Sequence, residues 1–394
     1  ELPSGSAVPT EAALIAAGRA AVDVKPDKPA EIARATSLLA APPRAGTIVD
    51  RQEHAATGVT SVRLDNGVRA HHRFMDQRKN EATVAITLAG GVIQEEASTR
   101  GVTEAAAQAW ERPATSVLSS PQIESLLTGK KVRVRSGVGP DTLTLTVSGN
   151  PRDLETGLQL AYLLLTDPLI EAAALGQWKE KEIQAIAARQ REPWGVLEES
   201  MAAALYPRDA VRLYPLTADQ VRAVTREAAQ AWLSKLIASA PIEVAVVGDI
   251  EREAALTLVT TYLGSLPARE AIGDKTLRER RTLVRPVGPL SVRRTVDAAA
   301  PQAAVLEGFF GADIQNIRDV RLLAAAARVL SSRMYKTIRE ERQLVYSIGA
   351  GSRPAFEYPG FGLFAAQAPT DPAKTDALTA AVEEMYVAFA KDGP

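Results

Sequence analysis

Two patterns of apolar residues alternate along the chain. In short runs they occupy every second position, and in longer, Ala-rich runs they recur at three-to-four spacing. The first pattern predicts strands buried on one face, and the second predicts amphipathic helices. Strands are predicted at residues 61–64, 68–72, 82–88, 132–134, 142–147, 242–247, 291–296, 303–308 and 344–348. Helices are predicted at residues 11–22, 30–40, 98–110, 151–165, 172–191, 313–341 and 371–390. This mixture indicates an α+β protein.

Turn and linker residues divide this pattern into units. Asn66-Gly67 predicts a hairpin, because both residues tolerate positive φ. Residues 1–58 are predicted to be a lead-in with helices, 59–267 a first α+β domain, 268–289 a charged interdomain linker and 290–394 a second α+β domain. Both domains repeat the order of strand, glycine turn and Ala-rich helix, which predicts a duplication. The second domain is predicted to be incomplete, and the start at Glu1 predicts a processed chain or a fragment.

Charge balance and cysteine count exclude several kinds of partner and site. The chain has 394 residues, a formal net charge of −1 and no Cys. Without a basic cluster we expect no nucleic acid partner. No apolar run approaches the ~20 residues of a membrane-spanning helix, so no membrane span is expected. The absence of Cys excludes disulfides and cysteine metal sites.

Residues 331–348 carry the most distinctive run of residues. Leu330 to Arg333 is followed by Arg339-Glu340, and then by Leu344, Tyr346 and Ser347. This run resembles the Arg/Tyr segment of the M16 metallopeptidases, the pitrilysin and insulinase family. Gln343 stands where that family usually has Gly, one position after Arg342. The resemblance implies two related LuxS/MPP-like domains, each a mixed, mostly antiparallel sheet with helices on one face.

The resemblance also implies where a zinc site belongs. In M16 enzymes the motif His-x-x-Glu-His lies on the first helix of an active half, where residues four apart share one helix face and grip one metal ion. The matching positions here are Glu104 and Gln108 for the histidines and Ala107 for the general base. We therefore expect this site to be degenerate, with neither a catalytic residue nor a metal in this chain. Glu182 matches the distal glutamate ligand, and it is interpreted either as a member of a salt bridge or helix-edge contact or as a relic of the zinc site.

The histidines offer no replacement site by their spacing. His71 and His72 are adjacent on a predicted strand and point to opposite faces, and His54 lies in the lead-in. A Ser/His/Asp triad is not excluded by composition, but no motif favours one. Arg342 and Tyr346 are the candidate substrate-binding residues. They either hydrogen-bond a peptide carbonyl or serve the fold alone, with Arg342 on Glu341 or a helix carbonyl and Tyr346 packed in the sheet.

The resemblance implies a catalytically silent half of a two-half M16 zinc metalloendopeptidase. Such a half closes the proteolytic chamber and contributes to binding of the peptide substrate. The active half, in the same polypeptide or in a partner subunit, would hold the zinc. The alternatives are a noncatalytic structural or assembly subunit and a free-standing peptide-binding module of the M16 fold. A periplasmic or secreted location is favoured, because many bacterial relatives are exported.

Overall fold

The computed structural model describes residues 9–23, 35–273, 275–298 and 300–393. The chain divides into two compact units, Glu1–Thr36 and Ser37–Pro394. In the first unit, α1 runs from Glu11 to Asp23, as predicted. The predicted helix at 30–40 is wrong over residues 35–40, which are not helical, and its first residues lie outside the described part. No helix of the described residues is both long and apolar enough to span a membrane.

The second unit combines strands and helices in the following order. The strands are β1 Ile48–His54, β2 Val59–Leu64, β3 Arg69–Phe74, β4 Ala82–Ala89, β5 Val132–Val138, β6 Thr142–Gly149, β7 Ile242–Gly248, β8 Ala303–Phe310, β9 Gly349–Arg353 and β10 Leu363–Thr370. The helices are α2 Val102–Glu111, α3 Ser120–Leu127, α4 Leu154–Thr166, α5 Ala172–Arg189, α6 Pro193–Leu205, α7 Ala218–Ala223, α8 Arg226–Ser239, α9 Arg252–Tyr262, α10 Arg278–Arg281, α11 Ile317–Met334 and α12 Thr375–Asp392.

The larger sheet of the described part has the strand order β1-β2-β3-β7-β4-β6-β5. Its neighbours pair antiparallel except β3 and β7, which are parallel, so the predicted mixed, mostly antiparallel sheet is confirmed. Side chains alternate between two faces, and the apolar set lies on one of them. That buried face includes Val62, Leu64, Val84, Ile86, Leu88, Leu143, Leu145, Val147, Val244 and Val246. The opposite face, called the open face below, carries half-buried and exposed residues.

The hairpin predicted at Asn66-Gly67 joins β2 to β3. Gly67 has φ 89°, and a Cβ there would meet the carbonyl oxygen of Arg269, so the position requires glycine. The Asn66 amide donates to the carbonyls of Leu263 and Leu266 at 2.8 and 3.1 Å. The turn therefore ties the hairpin to the segment that follows α9. The sequence pattern predicted no strand before Thr60, but β1 extends the sheet beyond β2.

The smaller sheet of the described part has the order β8-β10-β9 and is antiparallel throughout. Its covered face packs on α11 and α12 through buried apolar residues, namely Val305, Leu330, Met334, Ile338, Phe364, Ala366, Leu378 and Val382. The strand predicted at residues 291–296 is wrong, since the described residues there form no ladder with another strand. Arg293 instead forms an ion pair with Asp376.

Candidate functional site

A buried carboxylate holds the start of α2. Glu95 accepts from the backbone N–H groups of Gly101 and Thr103 at 3.0 and 2.8 Å, and it pairs with the guanidinium of Arg100. Glu95 is 1% exposed and Arg100 is 6% exposed. The first N–H groups of a helix have no partner inside the helix, and a carboxylate there is also favoured by the helix dipole. Glu95 thereby fixes the position of the helix that carries the degenerate zinc motif.

The degenerate motif positions lie on α2, as predicted. Ala107 is buried, whereas Glu104 and Gln108 are half-buried on the neighbouring face of the helix. The Gln108 amide donates to the Glu104 carbonyl at 3.4 Å. Burial and the negative charges of Glu95 and Glu182 together raise the pKa of the Glu104 carboxyl to about 7, against the opposing charges of Arg100 and Arg189.

Glu182 is engaged by an arginine on its own helix. On α5 the Arg189 guanidinium donates to the Glu182 carboxylate at 2.9 Å, and both side chains are partly exposed. The Arg189 guanidinium therefore supplies the positive charge beside Glu104 and Glu182. A catalytic zinc site takes about three protein ligands from His, Cys, Asp or Glu side chains. Here Gln108 and Ala107 offer an amide and a methyl group, and the Glu182 carboxylate is paired with Arg189. Within the described ranges, no three His, Cys, Asp or Glu side chains are grouped to hold a metal ion.

The run at 331–348 departs from the predicted helix and strand. After α11 the chain continues as a π-helix, Tyr335–Glu341, in which the Arg342 N–H donates to the Thr337 carbonyl at 3.0 Å. The predicted strand 344–348 is wrong: only Val345 forms a bridge, with Thr370, and β9 begins at Gly349. Gln343 has φ 53°, a conformation that favours glycine.

The arginine that contacts Tyr346 is Arg339. Its guanidinium carbon lies 5.1 Å from the Tyr346 ring centre and 4.4 Å from that of Tyr335, whose hydroxyl it also hydrogen-bonds. Arg342 instead donates to Glu384 on α12 at 2.6 Å. Tyr346 is 82% exposed, so it is not packed in the sheet. Tyr335, Arg339 and Tyr346 therefore form one group of contacting side chains, called the aromatic clamp below. Arg342 lies outside this group and is paired with Glu384.

A cavity of about 660 Å³ lies next to this segment. Its floor is the uncovered face of the smaller sheet, where Gly351 is paired with Ala365 and Gly349 with Gln367. Trp194 at the start of α6 and Arg353 at the end of β9 complete the lining. Small residues on the floor leave the backbone accessible, which suits contact with an extended chain.

Comparison with known proteins accounts for this arrangement. Residues 223–394 match the family model described as the peptidase M16 inactive domain. Over this stretch, which is less than half of the chain, the protein resembles the M16 peptidases. It is similar to the probable zinc protease PqqL of Escherichia coli strain K12, with 22% identity over 304 residues. That match covers 77% of this chain and 32% of PqqL, so the chain spans about a third of that relative.

Solved structures show the same fold. The structure of the periplasmic protease PqqL from Escherichia coli superposes with a TM-score of 0.77 at 20% identity, covering 98% of this chain and 42% of that one. The peptidase M16 inactive domain from Pseudomonas fluorescens superposes with a TM-score of 0.70 at 16% identity, covering 85% of this chain and 80% of that one. The ferredoxin protease FusC, solved with Arabidopsis ferredoxin, superposes with a TM-score of 0.73 at 16% identity, covering 98% of this chain and 42% of that one.

Sequence reasoning did not predict two arginine contacts at this site, Arg189 with Glu182 and Arg339 with Tyr346. Arg189 lies seven positions after Glu182, which is two turns of a helix and a spacing that brings the long side chains together. Arg339 lies seven positions before Tyr346, across the unforeseen π-helix and bend. The first was readable from helical spacing, whereas the second depends on the backbone path between the two residues.

Proposed function

We propose that this chain is the catalytically silent half of a two-half M16 zinc metalloendopeptidase. In this proposal the zinc-bearing half belongs to the same polypeptide or to a partner subunit, and the present chain closes the proteolytic chamber over a peptide. The observation that carries the proposal is α2, where Glu104, Ala107 and Gln108 occupy the positions that a zinc helix gives to His, Glu and His. The Arg189–Glu182 ion pair beside it supports the same reading.

The aromatic clamp is the group proposed to bind peptide. The Tyr346 ring stands out from the surface, and among the described residues no hydrogen bond satisfies its hydroxyl. A tyrosine hydroxyl can donate to a peptide carbonyl, and an arginine against its ring limits its orientations. We therefore replace Arg342 by Arg339 as the partner of Tyr346 in substrate binding. The neighbouring cavity with Trp194 offers room for the side chains of an extended peptide.

The location proposed for this half is the periplasm. The relative PqqL is named a periplasmic protease. The absence of Cys in this chain is compatible with an oxidising compartment as well as a reducing one. Fractionation of cells that produce the protein from its own gene tests this assignment.

Kinetics on the complete two-half enzyme test the role of the clamp. Tyr346→Phe removes one hydroxyl, and loss of one hydrogen bond to the transition state lowers kcat about a hundredfold. We expect Arg339→Gln to lower kcat as well, because it releases the Tyr346 ring. Arg342→Gln is the matched control, since it removes the same charge three residues away and breaks only the bond to Glu384.

Two outcomes separate this function from its rivals. A kcat that falls for the clamp variants but not for the control supports substrate binding by this half. Unchanged kcat and KM in all three variants, with normal folding, contradicts that role and favours a noncatalytic structural or assembly subunit.

A further inference from the structure

A continuous chain of hydrogen bonds crosses the open face of the larger sheet. His54 Nε2 lies 3.0 Å from Ser61 Oγ, and Ser61 Oγ lies 2.8 Å from His71 Nδ1. His71 Nε2 lies 2.7 Å from the Glu243 carboxylate, which also accepts from Arg69 at 2.9 Å. These residues come from β1, β2, β3 and β7, four consecutive strands of the sheet. They are more than 30 residues removed from the degenerate zinc motif along the chain.

The Glu243 carboxylate determines which atom donates and which accepts in each of these hydrogen bonds. Hydrogen bonds from Arg69 and His71 lower the pKa of the Glu243 carboxyl against the opposing effect of burial, which is the largest single contribution. An ionised carboxylate only accepts, so His71 Nε2 carries a proton. In the neutral ring Nδ1 is then a bare acceptor, and the Ser61 hydroxyl donates to it. Ser61 Oγ in turn accepts from His54 Nε2.

We propose that Ser61 is a nucleophile, activated by His71 as general base and by Glu243 as the group that holds the imidazole. A serine hydroxyl bonded to a neutral imidazole, whose other nitrogen is held by a carboxylate, is the arrangement that activates serine in hydrolases. Here serine faces Nδ1 and the carboxylate faces Nε2, and either ring nitrogen can take the proton. Sequence spacing did not predict this arrangement, because strand pairing brings Ser61, His71 and Glu243 together.

The sheet fixes the geometry of the three groups. Ser61 lies directly opposite His71, and Arg69 lies directly opposite Glu243, so backbone pairing sets the separations. A site built on strands holds its groups more closely than one built on loops. The His71 and Glu243 side chains are 33% and 29% exposed, and Ser61 is half-buried, so a small ligand reaches the hydroxyl. A half-buried hydroxyl on an open sheet face suits small, activated carboxylic esters.

The reaction balances with water as the second reactant. Ser61 Oγ attacks the ester carbonyl carbon, and its proton passes to His71 Nδ1. The His54 Nε2–H, already directed at Ser61 Oγ, donates to the oxyanion that forms on the adjacent carbon. The alcohol leaves with the proton from His71, which leaves an acyl group on Ser61. Water then attacks that acyl group with His71 again as base, and the carboxylic acid and free Ser61 are released.

Covalent labelling tests the nucleophile without any need for a natural substrate. The purified chain is treated with a fluorophosphonate probe, the modified residue is located by mass spectrometry, and hydrolysis of p-nitrophenyl acetate is followed in parallel. We expect labelling at Ser61 that is absent in Ser61→Ala. Removal of a general base slows such steps by about 10² to 10⁴-fold, so His71→Gln is expected to slow labelling by that amount.

Ser148→Ala is the matched control. Ser148 is half-buried on the same open face, but its cross-strand neighbours are Thr83 and Arg133 instead of a histidine. Labelling confined to Ser61 and slowed by His71→Gln, in variants with unchanged melting temperatures, supports the proposal. No adduct at Ser61 under excess probe, or equal labelling of Ser61 and Ser148, overturns it. Labelling of Ser61 that is unaffected by His71→Gln equally overturns the role of His71.

Discussion

Replacing Glu104 by Gln is predicted to stabilise the protein at high pH and to leave it unchanged at low pH. Glu104 occupies a metal-ligand position without a metal, and burial raises its pKa to about 7 from an ordinary value of 4.5. Glutamine keeps the size of the side chain and cannot ionise. The variant therefore removes one property of this site, the cost of an ionised carboxylate on the half-buried face of α2.

The magnitude follows from the two pKa values. One pKa unit corresponds to about 1.4 kcal/mol, so the shift given for Glu104 corresponds to at most about 3 kcal/mol. The pKa is higher in the folded state, so the folded protein binds the extra proton between the two values. The stabilising contribution of the protonated form is thus fully present below about pH 4.5 and is lost as the pH rises through about 7.

Urea unfolding of the wild type and Glu104→Gln at about pH 5 and about pH 8 measures this effect. We expect similar unfolding free energies near pH 5 and a difference approaching 3 kcal/mol in favour of the variant near pH 8. Glu111→Gln provides the control, because it makes the same change at an exposed position on the same helix. A Glu104→Gln effect that is independent of pH, or equal to that of Glu111→Gln, would refute the reasoning.

Three further predictions concern the same elements. Gln343→Gly relieves a left-handed backbone that costs about 1–2 kcal/mol, against about 0.5–1 kcal/mol of added chain entropy, so we expect a higher melting temperature from a gain of up to about 1.5 kcal/mol. Glu95→Gln leaves the buried Arg100 without its counter-charge and is expected to destabilise by about 3–5 kcal/mol in urea unfolding; a loss below about 1 kcal/mol would contradict this. Arg189→Gln removes a positive charge beside Glu104, so the loss of stability with rising pH is expected to steepen, and an unchanged pH profile would argue against this coupling.

Local patterns predicted the elements whose partners are close in sequence or whose faces are clearly two-sided. The hairpin at Asn66-Gly67 depends on two turn residues and on alternation in β2 and β3. β1 escaped prediction for a physical reason. It is an edge strand whose residues are exposed or half-buried along their whole length, so it has no apolar alternation to detect.

The opposite error occurred at residues 344–348. The apolar alternation of Leu344, Tyr346 and Ile348 does not follow burial, because Val345 is buried and Tyr346 is 82% exposed, and the backbone makes only one bridge there. A ladder also requires a strand alongside with free hydrogen-bonding groups. The bend at Gln343 depends on a positive φ, and a glutamine in the sequence does not predict a positive φ.

The sequence predicted which ligand residues the candidate site lacks, but it did not predict which side chains contact one another there. Loss of histidines at positions 104 and 108 is visible in the sequence alone. The pairing of Arg339 with Tyr346, and of Ser61 with two histidines, depends on π-helical turns and on strand register. A one-residue change in register would move each strand residue to the other face, so such contacts follow only from the fold.

Zinc content and peptidase activity of the isolated chain test the central claim most directly. The purified protein, residues 1–394, is equilibrated with zinc, passed through a desalting column and analysed for bound metal, and it is then assayed on unstructured peptides with and without a chelator. We predict substoichiometric zinc and no chelator-sensitive cleavage, because α2 lacks both histidines and the general base. One zinc ion per chain together with cleavage that a chelator abolishes would contradict the account.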